Sequence, residues 1–245
     1  MKEVKEIIEQ GGFVFVSHSG GKDSQAMYLL LKKIVPKKQL FVIHADLGQV
    51  EWSGVKEHIQ ATVDEEIQYA HAIYSDGSPK TLLNYVEKRG KWPSSAARFC
   101  TSDLKRGPIN KVIRRIMNEY KCQVAINCMG IRAEESNSRS KMDVWGLNNR
   151  LSNTKRQVYN WFPIFDWTEK EVFSMISRHD QSPHWAYLQG MKRLSCCFCI
   201  LADEKSLKLA GKLNPRLAKE YMDLEEKIAY DFKHNRSLKS ILSES

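Results

Sequence analysis

No apolar run among the 245 residues is long enough to span a bilayer, which argues against a helical membrane role. The opening stretch, Met1-Lys2-Glu3-Val4-Lys5-Glu6, reads as an amphipathic helix start and lacks the apolar segment of a secretory signal. A cytoplasmic protein is the expectation. No low-complexity segment or internal repeat is present, so linker-like and solenoid architectures are excluded. The GxxxxGK[ST] spacing of P-loop NTPases is missing too. Acidic residues are the scarcer sign, 29 against 38 basic, which gives a net charge of +9. That excess permits a nucleic-acid partner. Pairs such as Lys32-Lys33 and Arg114-Arg115 suit solvated helix faces equally well. The six cysteines are expected to be reduced in such a compartment.

What is present is an alternation of strands and helices. A short helix is expected over 2–10, then a buried strand at Phe13–Val16 and a helix from Ser24 to Ile34 stopped by Pro36. Further expectations are a strand at Leu40–His44, a helix from about Ser53 to Ile67 and a short strand at Ala70–Tyr74. Ser78-Pro79 is read as a cap and first-turn proline, opening a helix that ends near Gly90. A helix follows Pro108, then a strand at Val124–Met129. Thr168 and Glu171 form a capping box for a helix over 169–178. Asn214-Pro215 opens a last helix to about Phe232. This pattern predicts an α/β fold: a Rossmann-like parallel sheet with helices on both faces and a helical C-terminal extension. Residues 1–180 are expected to form the nucleotide-binding domain. Residues 181–245 carry cysteines and C-terminal helices, packed on that domain.

Ser19-Gly20-Gly21-Lys22-Asp23-Ser24 joins the first strand to the first long helix. Two glycines let backbone N–H groups approach an anion, and the helix N-terminus adds its dipole. Ser19 and Ser24 supply hydroxyls and Lys22 a positive charge. Asp46 closes the second strand, where a carboxylate can hold Mg²⁺ or a ribose hydroxyl. Gly130-Ile131-Arg132 follows the strand at 124–129, and Arg132 and Arg139 can fork onto phosphate or sulfate oxygens. Ligands of parallel sheets bind at strand carboxyl ends, and Ser19, Asp46 and Gly130 all fall at such ends. Trp167, in Pro163-Ile164-Phe165-Asp166-Trp167-Thr168, can lie against a base or simply be core.

Cys122 and Cys128 flank a buried strand and read as packing. Cys196 and Cys199 make a C-x-x-C with Cys197 inside it, a spacing shared by metal sites and redox pairs. Cys100 lies in Arg98-Phe99-Cys100-Thr101-Ser102-Asp103-Leu104-Lys105.

The Ser19–Ser24 block resembles the SGGxDS loop of N-type ATP pyrophosphatases, which holds the β,γ-pyrophosphate of ATP. The segments from Gly130, Pro163 and Arg98 resemble those of the phosphoadenosine phosphosulfate (PAPS) reductase family in the broad sense, with its HUP-type sheet. Together the resemblance runs from about Phe13 to Ile200. It implies that Ser19, Gly20, Gly21, Lys22, Asp23 and Ser24 bind phosphate, aided by Asp46, Gly130, Arg132 and Arg139. In the family's iron–sulfur members the Cys100 counterpart joins a distal C-x-x-C around a [4Fe–4S] cluster. The resemblance thus makes Cys100, Cys196 and Cys199 three ligands, with Cys197 the candidate for a fourth; three ligands would leave one iron open. Thioredoxin-dependent members carry a catalytic E-C-G-[LI]-H motif, and no cysteine follows Cys199 here. The nearest type is then the ATP pyrophosphatase of bacterial DNA phosphorothioation systems. That implies ATP with Mg²⁺, a nucleic-acid acceptor, and a cysteine desulfurase or other sulfur donor, with a homo-oligomer open. Sulfonucleotide reduction and tRNA thiolation are the alternatives.

Overall fold

In the computed structural model residues 2–243 are described. The strands β1 (Phe13–Ser17), β2 (Leu40–Ala45), β3 (Ile67–Ala70), β4 (Val124–Met129), β5 (Trp145–Leu147) and β6 (Gln157–Trp161) form one sheet in the order β3-β2-β1-β4-β6-β5. All pairings are parallel except β5 with β6, which is antiparallel at the edge. Val14, Phe15 and Val16 are wholly buried. Successive strand residues face opposite sides, so both faces of β1 are covered. On one face Phe15, Ile43, Ala125 and Val158 cluster with Ile113, Ile116 and Met117. The last three lie on α5 (Gly107–Glu119). Ser17 is level with Ile43 on β2 and Met129 on β4, which brings the chain after β1 and after β4 to the same sheet end.

The chain forms two compact units. The first comprises Met1–Ala45, Gly54–Ala70 and Ile109–His184. It holds the sheet, α1 (Lys2–Glu9), α2 (Lys22–Ile34), α3 (Val55–Thr62), most of α5 and α6 (Glu169–Ser177). The second comprises Asp46–Ser53, His71–Pro108 and Trp185–Ser245. It is helical, with α4 (Leu82–Arg89), α7 (Glu204–Leu213), α8 (Pro215–Ile228) and α9 (Leu238–Ser243). Its core is aromatic: Trp92 stacks on Tyr221 at 5.1 Å, with Phe198 and Phe232 packed around the same ring. The buried Glu225 carboxylate accepts the backbone N–H groups of Phe232 and Leu238 and so fixes the return of the chain after α8.

Several boundaries differ from the sequence expectation. The third helix stops at Thr62, and the strand expected at 70–74 lies at Ile67–Ala70, where it pairs with Val42–Ala45. Ser78 is held in a turn by Asp76, and Thr81 caps α4 instead. The last long helix ends at Ile228 because Ala229 turns left-handed at φ 48°. Neither β5 and β6 nor α7 and α9 stands out in the sequence pattern; β5 has three residues, one of them glycine. Cys100–Arg106 winds as a wide turn in which the Gly107 N–H reaches back five residues to Ser102.

Candidate nucleotide loop and thiol cluster

In the first unit the Ser19–Ser24 loop is folded on its own hydroxyls. Ser24 Oγ lies 3.2 Å from Ser19 Oγ, accepts the Ser19 N–H at 3.1 Å and donates to the Gly21 carbonyl at 2.8 Å. Gly20 turns at φ 75°, a conformation that glycine adopts without strain, and its N–H donates to His18 Nδ1 at 3.1 Å. The 13-residue α2 begins at once, so its positive dipole end underlies the loop. Hydroxyls that bond each other in the free loop can turn to anion oxygens at little cost.

The charged residues form one network. Lys22 is almost fully buried, with its ammonium 3.5 Å from Asp23 and 3.3 Å from Glu169. Arg132 is also buried; its Nε donates to Asp23 at 2.6 Å and one terminal nitrogen donates to Glu134 and to the Trp167 carbonyl. Burial works against the Arg132 charge, but Asp23, Glu134 and Glu135 together outweigh it and raise the guanidinium pKa. Gly130 makes this approach possible. A Cβ there would stand 3.0 Å from the backbone of Asp23 and Ser24. Arg139 pairs with Glu135, and Glu135 in turn accepts the Arg132 N–H at 3.1 Å. The loop, Gly130 and Arg132 are therefore brought together, while Arg139 is tied back to its own turn. Trp167 is half-buried and contributes a carbonyl.

Two features of this unit escaped the sequence reading. Glu169 was visible only as part of a capped helix start; its partner Lys22 is 147 positions away. Four histidines also converge. His44 Nδ1 lies 2.9 Å from the His18 carbonyl, and His58 packs edge-to-face on His184. His18 accepts at Nδ1, so its proton resides on Nε2, which has no hydrogen-bond partner among the described residues. Burial, then His44 and His58, lowers the His18 pKa to about 3. Burial, then His184, lowers His58 to about 4.

In the second unit Asp46 accepts the Gly48 N–H at 2.8 Å and stands 3.4 Å from His71 Nδ1. Both line a cleft of about 120 Å³ together with Lys80 and Thr81. That is well below a nucleotide-sized pocket. Cys196 and Cys197 are buried, Cys100 and Cys199 half-buried, and none is in a disulfide. Lys105 carries its charge among Cys196, Glu51, Cys199 and Cys100, and the Cys196 thiolate foremost raises its pKa. Burial pushes the Cys196 thiol up to about 11 and Cys197 to about 12, and raises Cys100. Among the described residues no three cysteine sulfurs all lie within 4.8 Å of one another. Thiols of this kind suit a group with soft-ligand preference, zinc or an iron–sulfur cluster. Cys128 is core, as expected, and Cys122 is half-buried with its thiol on the Val124 carbonyl. No helix among the described residues is long and apolar enough to cross a membrane.

Comparison with known proteins gives three findings. A family model described as the phosphoadenosine phosphosulfate reductase domain matches residues 13–202. Among curated sequences, an uncharacterised 37.8 kDa protein of Escherichia phage 186 is 27% identical over 78% of this chain and 68% of its own length. An uncharacterised protein of Methanocaldococcus jannaschii is 28% identical over 88% of this chain and 48% of its own length. The chain thus spans about half of that archaeal relative. A phosphoadenosine 5'-phosphosulfate reductase of Aliivibrio fischeri is 27% identical over 71% of this chain and 63% of its own length. Among solved structures, the phosphate complex of phosphoadenylyl-sulfate (PAPS) reductase from Candida auris aligns with a TM-score of 0.49 at 12% identity, covering 78% of this chain and 87% of that one.

Proposed function

From its membership of the phosphoadenosine phosphosulfate reductase domain family, we propose that this chain is an ATP pyrophosphatase that activates an acceptor for sulfur insertion. The observation that carries the reading is the Ser19–Ser24 loop at the start of α2, with Lys22 and Arg132 buried around Asp23. An acceptor oxygen would attack the α-phosphorus of ATP, forming an O–P bond as the bond to the β-phosphate oxygen breaks. Pyrophosphate leaves, and its charge is met by Lys22, the loop and the helix dipole, an arrangement that stabilises developing negative charge. Sulfide would then displace AMP from the activated acceptor. Asp46 is the candidate for positioning Mg²⁺. Cys100, Cys196 and Cys199 would hold a [4Fe–4S] cluster, with Cys197 as the adjacent fourth thiol, and such a cluster supplies a site for sulfide. Lys105 would offset the thiolate charge that cluster binding demands. The net charge of +9 suits a nucleic-acid acceptor, DNA in a phosphorothioation system or tRNA, served by a cysteine desulfurase or another sulfur donor.

Pyrophosphate release from ATP, with Mg²⁺, nucleic acid and a sulfur donor present, is the direct assay. Lys22→Met is expected to lower the rate by about 10² to 10³, the usual cost of one charge-stabilising group. A wild-type protein that releases no pyrophosphate under these conditions sinks the reading. The name of the Aliivibrio fischeri relative favours one second reading, sulfonucleotide reduction. Release of sulfite from PAPS, without pyrophosphate from ATP, would move the assignment there. For the thiol cluster, anaerobically prepared protein is expected to contain iron and acid-labile sulfide, and Cys100→Ala to lose most of both. Equal iron and sulfide in wild type and variant would remove Cys100 from the ligand set.

A further inference from the structure

The second unit carries a row of alternating rings and cations that none of this chemistry uses. Tyr74, Tyr85 and Phe99 follow one another edge-to-face, with centroids 6.3 and 5.3 Å apart. Lys80 lies over both tyrosine rings at 4.9 and 4.7 Å, and Lys88 lies over Tyr74 at 4.6 Å. Arg89 covers Tyr85 at 5.3 Å and Phe99 at 4.5 Å. Tyr85 is locked by its own hydroxyl, which donates to Asp103 at 2.6 Å and accepts from Arg89 at 3.1 Å. Lys88 and Arg89 are solvent-exposed.

A ring holds a cation in place without cancelling its charge, whereas a carboxylate cancels it. Long cationic side chains lose rotamer entropy when fixed. Here the rings have already restricted them. Two carboxylates act on the row, Asp103 on Lys80 and Arg89, and Asp76 on Lys88. Even so, His71 to Arg106 holds seven basic and three acidic residues. The row ends on Phe99, the residue before Cys100.

We infer that the Tyr74–Tyr85–Phe99 row, with Lys80, Lys88 and Arg89, is a phosphodiester-binding surface that lays a nucleic-acid backbone toward the Cys100 thiol. The inference rests on the proposed sulfur transfer to a nucleic acid and gives that acceptor its place on the second unit. The ring faces are taken by the cations, so the contact is to phosphates and carries little base preference.

The test measures binding of labelled duplex DNA, single-stranded DNA and tRNA across a salt series. The proteins are wild type, Lys80→Gln/Lys88→Gln/Arg89→Gln, and a control with Lys212→Gln/Arg216→Gln/Lys219→Gln, which removes three exposed cations from α7 and α8. The row variant is expected to bind about 10² more weakly near physiological salt, with a log–log salt slope smaller by two to three. The control should change far less. Lys80→Arg/Lys88→Arg keeps charge and ring contact and should bind as wild type, which separates lost charge from lost fold. Equal weakening in the row variant and the control overturns the surface while leaving nucleic acid as acceptor. Wild-type protein that binds none of the three nucleic acids overturns both. Nucleotide binding, titrated separately without nucleic acid, reports on the loop alone and should be the same in the row variant and the wild type.

Discussion

Between pH 6.5 and pH 4 the first unit is expected to lose roughly 5 kcal/mol of stability. Burial holds His18 and His58 at native pKa values of about 3 and 4, both below the ordinary histidine value of 6.5. A histidine whose pKa falls on folding binds fewer protons in the native state than in the unfolded one. Its contribution is fully present above the unfolded pKa and is lost as pH drops toward the native value. At pH 4 His18 is about 2.5 units below its unfolded pKa, or roughly 3 kcal/mol at 1.4 kcal/mol per unit. His58 is partly exposed, and solvent screening reduces its share to about 2 kcal/mol. Urea unfolding at pH 7, 6, 5 and 4 should show the midpoint falling with nearly constant m, and about two protons taken up per chain unfolded. Flat stability over this range would mean that water reaches these rings in the native state. The Ser19–Ser24 loop is expected to loosen over the same range, because His18 Nδ1 accepts the Gly20 N–H there.

Removing one side of the Arg132–Asp23 pair is expected to cost about 3–5 kcal/mol, since it leaves a buried charge without its partner. Arg132→Met leaves Asp23 in the low-dielectric interior beside Lys22, and Asp23→Leu leaves the buried Arg132 with Glu134 and the Trp167 carbonyl. The double variant should be milder than the sum of the singles, because the charge left over in each single is gone. Each single variant should also weaken nucleotide binding by more than tenfold, since Asp23 lies in the first turn of α2 and Arg132 fixes that turn against the chain after β4. Thermal unfolding of all four proteins gives the coupling, and nucleotide titration gives the affinity. Strict additivity of the two substitutions would show that the pair is solvated and carries no special weight.

The loop was legible in the sequence because all of its determinants are adjacent. A buried strand, two glycines and a helix start within a dozen residues fix the backbone locally. The same holds for Cys196 and Cys199, whose spacing is a property of one short segment. The sheet core was legible for a related reason: continuous apolar runs at Phe13, Leu40 and Val124 admit only buried strands. The short edge strand at Trp145–Leu147 was not, since its pairing with Tyr159–Trp161 sets it more than its own composition does.

The sequence by itself determined the glycine turn between a buried strand and a helix, the mostly parallel sheet and the C-x-x-C spacing of Cys196 and Cys199. Only the tertiary structure decided which charges meet. Arg132 and Arg139 look alike in sequence, yet one is buried against Asp23 and the other is tied to Glu135. Lys22 finds Glu169, Lys105 stands among three cysteines, and four histidines from distant segments share one interior. Burial and pairing energies depend on what surrounds a side chain from every direction, and chain neighbours supply only a small part of that surrounding.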